Sequence, residues 1–242
     1  MAKIGGVSVS NDVLKQLLEK SEKNKQIKEA GTAKKSNICK MPKSDDTAAV
    51  AVKQTTKKKT KKEKTDELRA KDDDLSWLDV LIEDDRELML AVATRRIKHI
   101  ESVHKKRIAE LAIDRSIYSG KLREHYIQVR LFLYVEATYP EYYDDMYANP
   151  MGGYRPTKIG WEIIAEGAKT GQPDINVDCP KGKYCGLRLE VKSSIGSPSD
   201  KQLSKIERLN KRGYLALLGW GYDECKTILD NYFAMADVYP VS

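Results

Sequence analysis

The fold is decided by residues 171–218, which read GQPDINVDCPKGKYCGLRLEVKSSIGSPSDKQLSKIERLNKRGYLALL. Within this stretch, residues 174–178 and 187–193 alternate apolar and polar side chains, which is the period-two pattern of β-strands. Residues 199–212 have the pattern of a helix that a glycine at 213 would stop, and residues 214–219 form an apolar run typical of a buried strand. Two strands, a helix and a further strand predict a mixed α/β core.

The second strand, LRLEVKS, places two charges inside this core pattern. Because side chains alternate faces along a strand, we expect Leu189 and Val191 to point one way and Glu190 and Lys192 the other. Two opposite charges on a core strand are costly unless they are paired, hydrated or functional. An E-x-K triplet is more often a surface ion pair, so the triplet by itself does not indicate a site.

The first strand adds a carboxylate in a defined place. A hairpin between the two strands would bring Asp174 beside Glu190, and two carboxylates at that distance repel each other. A hard divalent cation would relieve the repulsion, and oxygen ligands of this kind suit Mg²⁺ or Mn²⁺. Lys192 would then orient or polarise the attacking water of a hydrolytic reaction. A lone Pro-Asp commonly begins a turn, so the order and spacing of the motifs carry this reading.

These motifs resemble the VRR-NUC branch of the PD-(D/E)xK nuclease superfamily. The branch reads G-x-PD, a strand ending in ExK, S-P-x-x-Q, and a helix leading to a Gly-Tyr strand. The matching residues are Gly171, Pro173, Asp174, Glu190, Lys192, Ser197, Pro198, Gln202, Gly213 and Tyr214. The resemblance covers about residues 120–232: upstream, Glu124 and Gln128 match a helix with Glu and Gln one turn apart, and residues 149–153 match an Asn-Gly-type loop. That loop departs from the family by an inserted Pro-Met.

The resemblance implies a restriction-endonuclease-like α/β core and a role for each matching residue. Asp174, Glu190 and the Val191 carbonyl would bind the metal, and Lys192 would act on the nucleophilic water. Glu124 would complete the metal shell, and Gln202 would support the site. The ordinary alternatives are a solvated helix charge for Glu124 and a plain first-turn helix residue for Gln202.

The resemblance also implies an activity, which is metal-dependent endonuclease cleavage of DNA. Stand-alone members of this branch, found among phages and other viruses, look like Holliday-junction resolvases that act as homodimers. Branched DNA is therefore the expected substrate, with a flap or non-specific nuclease as a close alternative. A function of another class stays open: a non-catalytic DNA-binding or DNA-packaging protein that uses its lysines on a nuclease-like fold.

Basic residues are concentrated near the N-terminus. Residues 1–75 hold 19 Lys and Arg against 12 Asp and Glu, which accounts for the whole net charge of +7. Residues 31–71 contain few apolar side chains, so we expect a disordered arm that attracts DNA; a linker or a nuclear-import signal are the alternatives. The lysines expected to contact DNA are Lys57, Lys58, Lys59, Lys61 and Lys62 in the arm, with Lys201 and Lys205 on the later helix.

Between the arm and the core, helical patterns predominate. Apolar spacings of three and four predict two helices over residues 77–111, with a break near 83–86, and a third helix over 121–137. An aromatic-rich loop should follow. The expected organisation is a basic arm (1–75), a helical extension (76–118) that supplies a homodimer interface, and a nuclease domain (119–242).

Cysteine spacing and hydropathy exclude other classes. The four cysteines show no short paired spacing of the kind that a zinc ribbon needs. The sequence has no apolar signal-peptide region and no apolar run of membrane-spanning length. We therefore expect an intracellular protein without a membrane partner, in the host cytoplasm for a phage protein or in the nucleus for a eukaryotic or viral one.

Overall fold

The computed structural model describes residues 60–149 and 157–238, and for Lys121 and residues 157–160 it describes the backbone alone. Four strands form one sheet in the order β1 (Met146–Ala148), β2 (Ile175–Val177), β3 (Leu187–Lys192) and β4 (Leu215–Trp220). The first three pair antiparallel, and β3 pairs with β4 in parallel. The predicted mixed α/β class is therefore confirmed.

Helices account for most of the remaining described residues. They are α1 (Lys61–Asp73), α2 (Ser76–Asp84), α3 (Arg86–Thr94), α4 (Val103–Ile113), α5 (Arg123–Thr138), α6 (Pro140–Tyr143), α7 (Thr157–Ala165), α8 (Asp200–Lys211) and α9 (Gly221–Phe233). Helix α8 is the crossover that a parallel β3–β4 pair requires. It is followed by Gly213 with φ of 88°, a left-handed conformation that glycine adopts without steric cost.

Both faces of the sheet are covered. In β4, Leu215 and Leu217 pack in a core with α5 and α9, whereas Ala216 and Leu218 pack against the α8 residues Ile206 and Leu209. Alternate residues of a strand face opposite sides. The sheet therefore lies between α8 on one face and the α5–α9 pair on the other.

Helix α5 joins this core to the N-terminal helices. Its residues Leu131 and Val135 face the sheet, while Tyr126, Val129 and Leu133 pack with the buried side chains of α2, α3 and α4. Because α5 is buried on two sides, the residues at its N-terminus are held in a fixed position relative to the sheet and to the N-terminal helices.

The structure overturns the expectation of disorder for residues 61–71, which belong to helix α1. Thr60 and Glu63 form a capping box: the Thr60 hydroxyl accepts from the Glu63 N–H, and the Glu63 carboxylate accepts from the Thr60 N–H. None of the α1 side chains is buried. The sequence pattern missed this helix because caps and polar contacts hold it, while the disorder argument considered only apolar burial.

Two further expectations need correction. Residues 77–111 form three helices, because α3 ends at Thr94 with Arg95 in a left-handed conformation and α4 starts anew behind its Ser102 cap. The expected aromatic loop contains α6 and β1, which are too short to show a period in the sequence. Lys57, Lys58, Lys59 and residues 150–153 lie outside the described residues. In the part that is described, no helix has the length and apolar character needed to cross a membrane.

Candidate active site

The β2–β3 hairpin brings Asp174 to Glu190 as the sequence predicted. Ile175 pairs with Leu189 in the antiparallel register, so the preceding residue, Asp174, lies beside Glu190. The Asp174 Oδ2 atom accepts a hydrogen bond from the Val191 N–H at 2.9 Å. On its other side, the Asp174 carbonyl accepts from the Asn149 N–H at 2.8 Å, which extends the β1–β2 ladder. The carboxylate is thus fixed by the sheet.

Glu190 and Lys192 form a buried ion pair on the α8 face of the sheet. Glu190 is 1% exposed and Lys192 is 7% exposed, and Lys192 Nζ lies 2.6 Å from Glu190 Oε1. Gln202 Nε2 donates to the same oxygen. The other end of the Gln202 amide accepts from the Ser199 N–H at 2.8 Å in the capping box that begins α8. The helix cap therefore aims Gln202 at the site.

Glu124 approaches from the opposite side of the sheet. It lies in the first turn of α5, and its Oε1 atom accepts from the Ser193 N–H at 3.1 Å, directly after β3. The approach is close, since a Cβ added at Gly196 would lie 3.0 Å from that same oxygen. The structure thus brings Glu124 to the end of the strand that carries Glu190 and Lys192.

The charges of these groups act on one another. Burial raises the pKa of Glu190 to about 7, and the charges of Asp174 and Glu124 act in the same direction, whereas Lys192 opposes them. The pKa of Asp174 is also raised, chiefly by burial, against the lowering effect of the Val191 N–H and of Lys192. Burial lowers the pKa of Lys192, but its bond to Glu190 and the surrounding carboxylates raise it above the ordinary value. One buried cation therefore faces three carboxylates.

The donor set fits a divalent cation of the Mg²⁺ type. Asp174 Oδ2 and Glu190 Oε1 carry the hydrogen bonds that position the two groups, and each carboxylate has a second oxygen to offer a ligand. In residues 60–149 and 157–238, no three His, Cys, Asp or Glu side chains are arranged as a ready metal cage. Mg²⁺ is commonly held by one or two carboxylates together with waters and substrate phosphates, so two carboxylates and the Val191 carbonyl suit it.

The lysines predicted to contact DNA lie away from this buried centre. Lys61 and Lys62 are exposed on α1, and Lys201 is exposed on α8. Lys205 is half-buried, and its pKa is lowered by burial and by the charges of Arg208, Arg212 and Arg188. The outer face of α8 is thus a basic surface on the helix that carries Gln202.

The structure adds residues beside the site that the sequence reasoning missed. Asp72, at the end of α1, accepts a hydrogen bond from the Ser194 N–H at 2.8 Å, two residues beyond Lys192. Arg123, which precedes Glu124, makes a bidentate pair with Asp73 at 2.6 and 2.7 Å. The acidic run at 72–74 was a visible signal in the sequence, but its contact with Ser194 spans 122 residues.

The chain shows little similarity to known proteins. No protein-family model matches the chain, and no curated protein matches it. Among solved structures, one described as a VRR_NUC domain protein is similar to part of the chain, with 24% identity and a TM-score of 0.42. The similarity covers 47% of this chain and 90% of that one. At this level of likeness, the residues of the site and their geometry are the basis for a functional assignment.

Proposed function

We propose that the chain is a metal-dependent DNA endonuclease with a PD-(D/E)xK-type site centred on Asp174, Glu190 and Lys192. One observation carries this proposal: the β2–β3 pairing fixes two carboxylates side by side, with a buried lysine 2.6 Å from one of them. Such a group of charges is costly to bury. Its presence in a core strand is accounted for if a cation and a phosphate complete it.

Each residue has a role that follows from its position. Asp174, Glu190 and the Val191 carbonyl would hold the cation, and Gln202 keeps the Glu190 carboxylate in place. A bound Mg²⁺ or Mn²⁺ would supply a Lewis acid for the phosphate and lower the pKa of water. Lys192 has three N–H donors. One bonds Glu190, which leaves two to orient the attacking water and to stabilise negative charge on the phosphate.

Glu124 would act as a further carboxylate at this centre. Its hydrogen bond to the Ser193 N–H holds it at the end of β3, and its charge acts on Asp174, Glu190 and Lys192. Because Ser193 follows Lys192 directly, movement of this loop would change the distance between Glu124 and the other carboxylates.

The finer substrate proposal is branched DNA cut by a homodimer. Two symmetric cuts in a four-way junction require two sites, which a twofold dimer provides. The N-terminal helices offer apolar surface for such a contact, since Val80, Met89, Leu90 and Val103 remain exposed on α2, α3 and α4. The basic outer face of α8 and the lysines of residues 57–62 would hold the DNA backbone.

Cleavage of labelled linear, flap and four-way-junction DNA with and without Mg²⁺ tests the proposal. We expect metal-dependent cleavage that is abolished in Asp174→Ala and in Glu190→Ala. DNA binding should stay intact or tighten, because the removed carboxylate repels phosphate. Asp178→Ala is the matched control, because Asp178 follows the same strand and pairs with Arg188 at the surface.

A second readout does not depend on turnover. Mg²⁺ should raise the thermal midpoint of the wild-type protein, since a ligand that binds the folded state stabilises it. The rise should be absent in Asp174→Ala. Full nuclease activity in Asp174→Ala or Glu190→Ala contradicts the site assignment. DNA binding without cleavage under any divalent cation supports the non-catalytic DNA-binding alternative instead.

A further inference from the structure

The acidic end of α1 occupies hydrogen-bond donors at the edge of the candidate active site. Asp72 Oδ2 accepts from the Ser194 N–H at 2.8 Å, and both oxygens of Asp73 accept from Arg123 at 2.6 and 2.7 Å. Ser194 lies two residues beyond Lys192, and Arg123 directly precedes Glu124. These donors therefore flank the candidate active site, one in the loop after β3 and the other at the first residue of α5.

The two donors are of the kind that recognises phosphate. A guanidinium binds two oxygens of a phosphate or a carboxylate in the same forked geometry, and backbone N–H groups are frequent partners of DNA phosphates. The Arg123 side chain is only 13% exposed, so its fork is held in one orientation. In the structure, the carboxylates of Asp72 and Asp73 stand where phosphate oxygens would be bound.

The space behind these contacts contains a further guanidinium. A cavity of about 380 Å³ is lined by Arg123, Ser194 and Arg130, together with residues of α1 and α9. Arg130 lies between the rings of Trp77 and Tyr222, at 4.0 and 3.7 Å from their centroids. Within the described residues, no hydrogen bond or ion pair engages its N–H groups. The cavity therefore offers a cation whose in-plane donors are available to an oxyanion.

Helix α1 is attached weakly enough to be displaced. It buries none of its side chains, so its docking depends on polar contacts. At its C-terminal end these include, besides the two carboxylates, the bond from the Tyr118 hydroxyl to the Asp72 carbonyl and the exposed pair of Lys71 with Asp223. Exposed ion pairs contribute little to stability. Residues 71–74, KDDD, carry a formal charge of −2, so their departure also removes repulsion toward DNA.

We propose that Arg123 and the Ser194 N–H form a subsite for a DNA phosphate next to the scissile bond, and that Asp72 and Asp73 occupy it until DNA displaces them. This inference rests on the proposed function, because the ligand is a DNA phosphodiester. The acidic end then acts as an internal competitor of the substrate, and the lysines at the other end of α1 stay attached to the chain and near the DNA.

The test compares DNA affinity in two double variants without divalent cation, so that the DNA is not cut. Asp72→Ala with Asp73→Ala removes the competitor. Asp66→Ala with Asp84→Ala makes the same change in net charge at exposed positions that contact neither Arg123 nor Ser194. We expect the first variant to bind four-way-junction or duplex DNA about three- to tenfold more tightly than the second. The apparent affinity is the intrinsic affinity multiplied by the fraction of molecules whose subsite is not occupied by Asp72 and Asp73. Arg123→Met added to the first variant should reverse the gain.

Hydrogen exchange of the full chain gives an independent readout. DNA should increase amide exchange in residues 61–73 of the wild-type protein, because α1 leaves its docking position. Equal affinities of the two double variants, or slower exchange of α1 with DNA, overturn the subsite. If either of those results is found and the wild-type protein cleaves DNA, only the subsite is refuted. If the wild-type protein neither binds nor cleaves DNA, the proposed function is refuted as well.

Discussion

Replacement of Lys192 by methionine tests the electrostatics of the site most directly. Methionine keeps a long apolar side chain in the 7%-exposed position and removes the charge that faces Glu190, Asp174 and Glu124. Removing one partner of a buried ion pair costs about 3–5 kcal/mol, because the other charge stays buried without compensation. We expect a loss in the free energy of unfolding that grows toward that size as the facing carboxylates ionise, in the absence of metal.

The loss should depend on pH, with a sign that follows from Glu190. Its pKa in the folded protein is raised to about 7 from the ordinary 4.5, and Lys192 opposes that rise, so the variant should have a still higher pKa. A carboxyl whose pKa is raised on folding does not lower stability at pH values below the pKa that it has in the unfolded chain. As the pH rises from there toward its pKa in the folded protein, it destabilises the folded state progressively. The deficit should therefore be small at pH 5, appear as the pH passes about 7 and still be growing at pH 8, because the pKa of Glu190 is higher in the variant than in the wild-type protein.

Urea unfolding at pH 5 and pH 8, with EDTA and then with Mg²⁺, measures this deficit. Mg²⁺ should restore part of the stability at pH 8, because it supplies the missing positive charge, while turnover stays lowered by orders of magnitude. Lys211→Met is the matched control, since Lys211 is 74% exposed and pairs with Glu207 one turn away; a pair of this kind contributes about 0.3–0.5 kcal/mol. A Lys192→Met deficit that is equal at both pH values would refute the assignment of Lys192 as the counter-ion of these carboxylates.

Four further changes probe the fold and the arm. Leu189→Ala, at a fully buried position of β3, should lower the free energy of unfolding by about 2–5 kcal/mol in urea titration, and a loss below 1 kcal/mol would contradict its place in the core. Tyr126→Phe should leave the free energy of unfolding unchanged or raise it, because the buried Tyr126 hydroxyl has no partner among the described residues. Tyr232→Phe should lower that free energy by about 1 kcal/mol, because it removes the hydrogen bond to the Cys179 carbonyl. Deletion of residues 1–59, which hold 14 Lys against 6 Asp and Glu, should weaken DNA binding at low salt. The slope of log affinity against log salt should become shallower by about 0.9 for each phosphate that the deleted lysines neutralise. An unchanged slope would mean that α8 and α1 bind the DNA backbone.

The central part of the fold was readable from sequence because its signals are local. Alternation in residues 187–193 predicted β3, and the helical pattern with its terminal glycine predicted α8; the structure has β3 at Leu187–Lys192 and α8 at Asp200–Lys211. The placement of Asp174 beside Glu190 followed from the short connection between two adjacent strands. The three-residue strand β1 and the four-residue helix α6 lie in a stretch without a clear period and were missed.

What the sequence by itself determined is the chemistry of one strand and its neighbour: which residues face the core, and which carboxylates and lysine are placed together. These are consequences of side-chain alternation and of a short antiparallel connection, both of which act between residues close in the chain. Tertiary structure alone decided how α5 delivers Glu124 to the end of β3, and how α1 brings Asp72 to Ser194. Those contacts join residues 69 and 122 positions apart. Their partners are chosen by the packing of whole helices, and no local pattern records that choice.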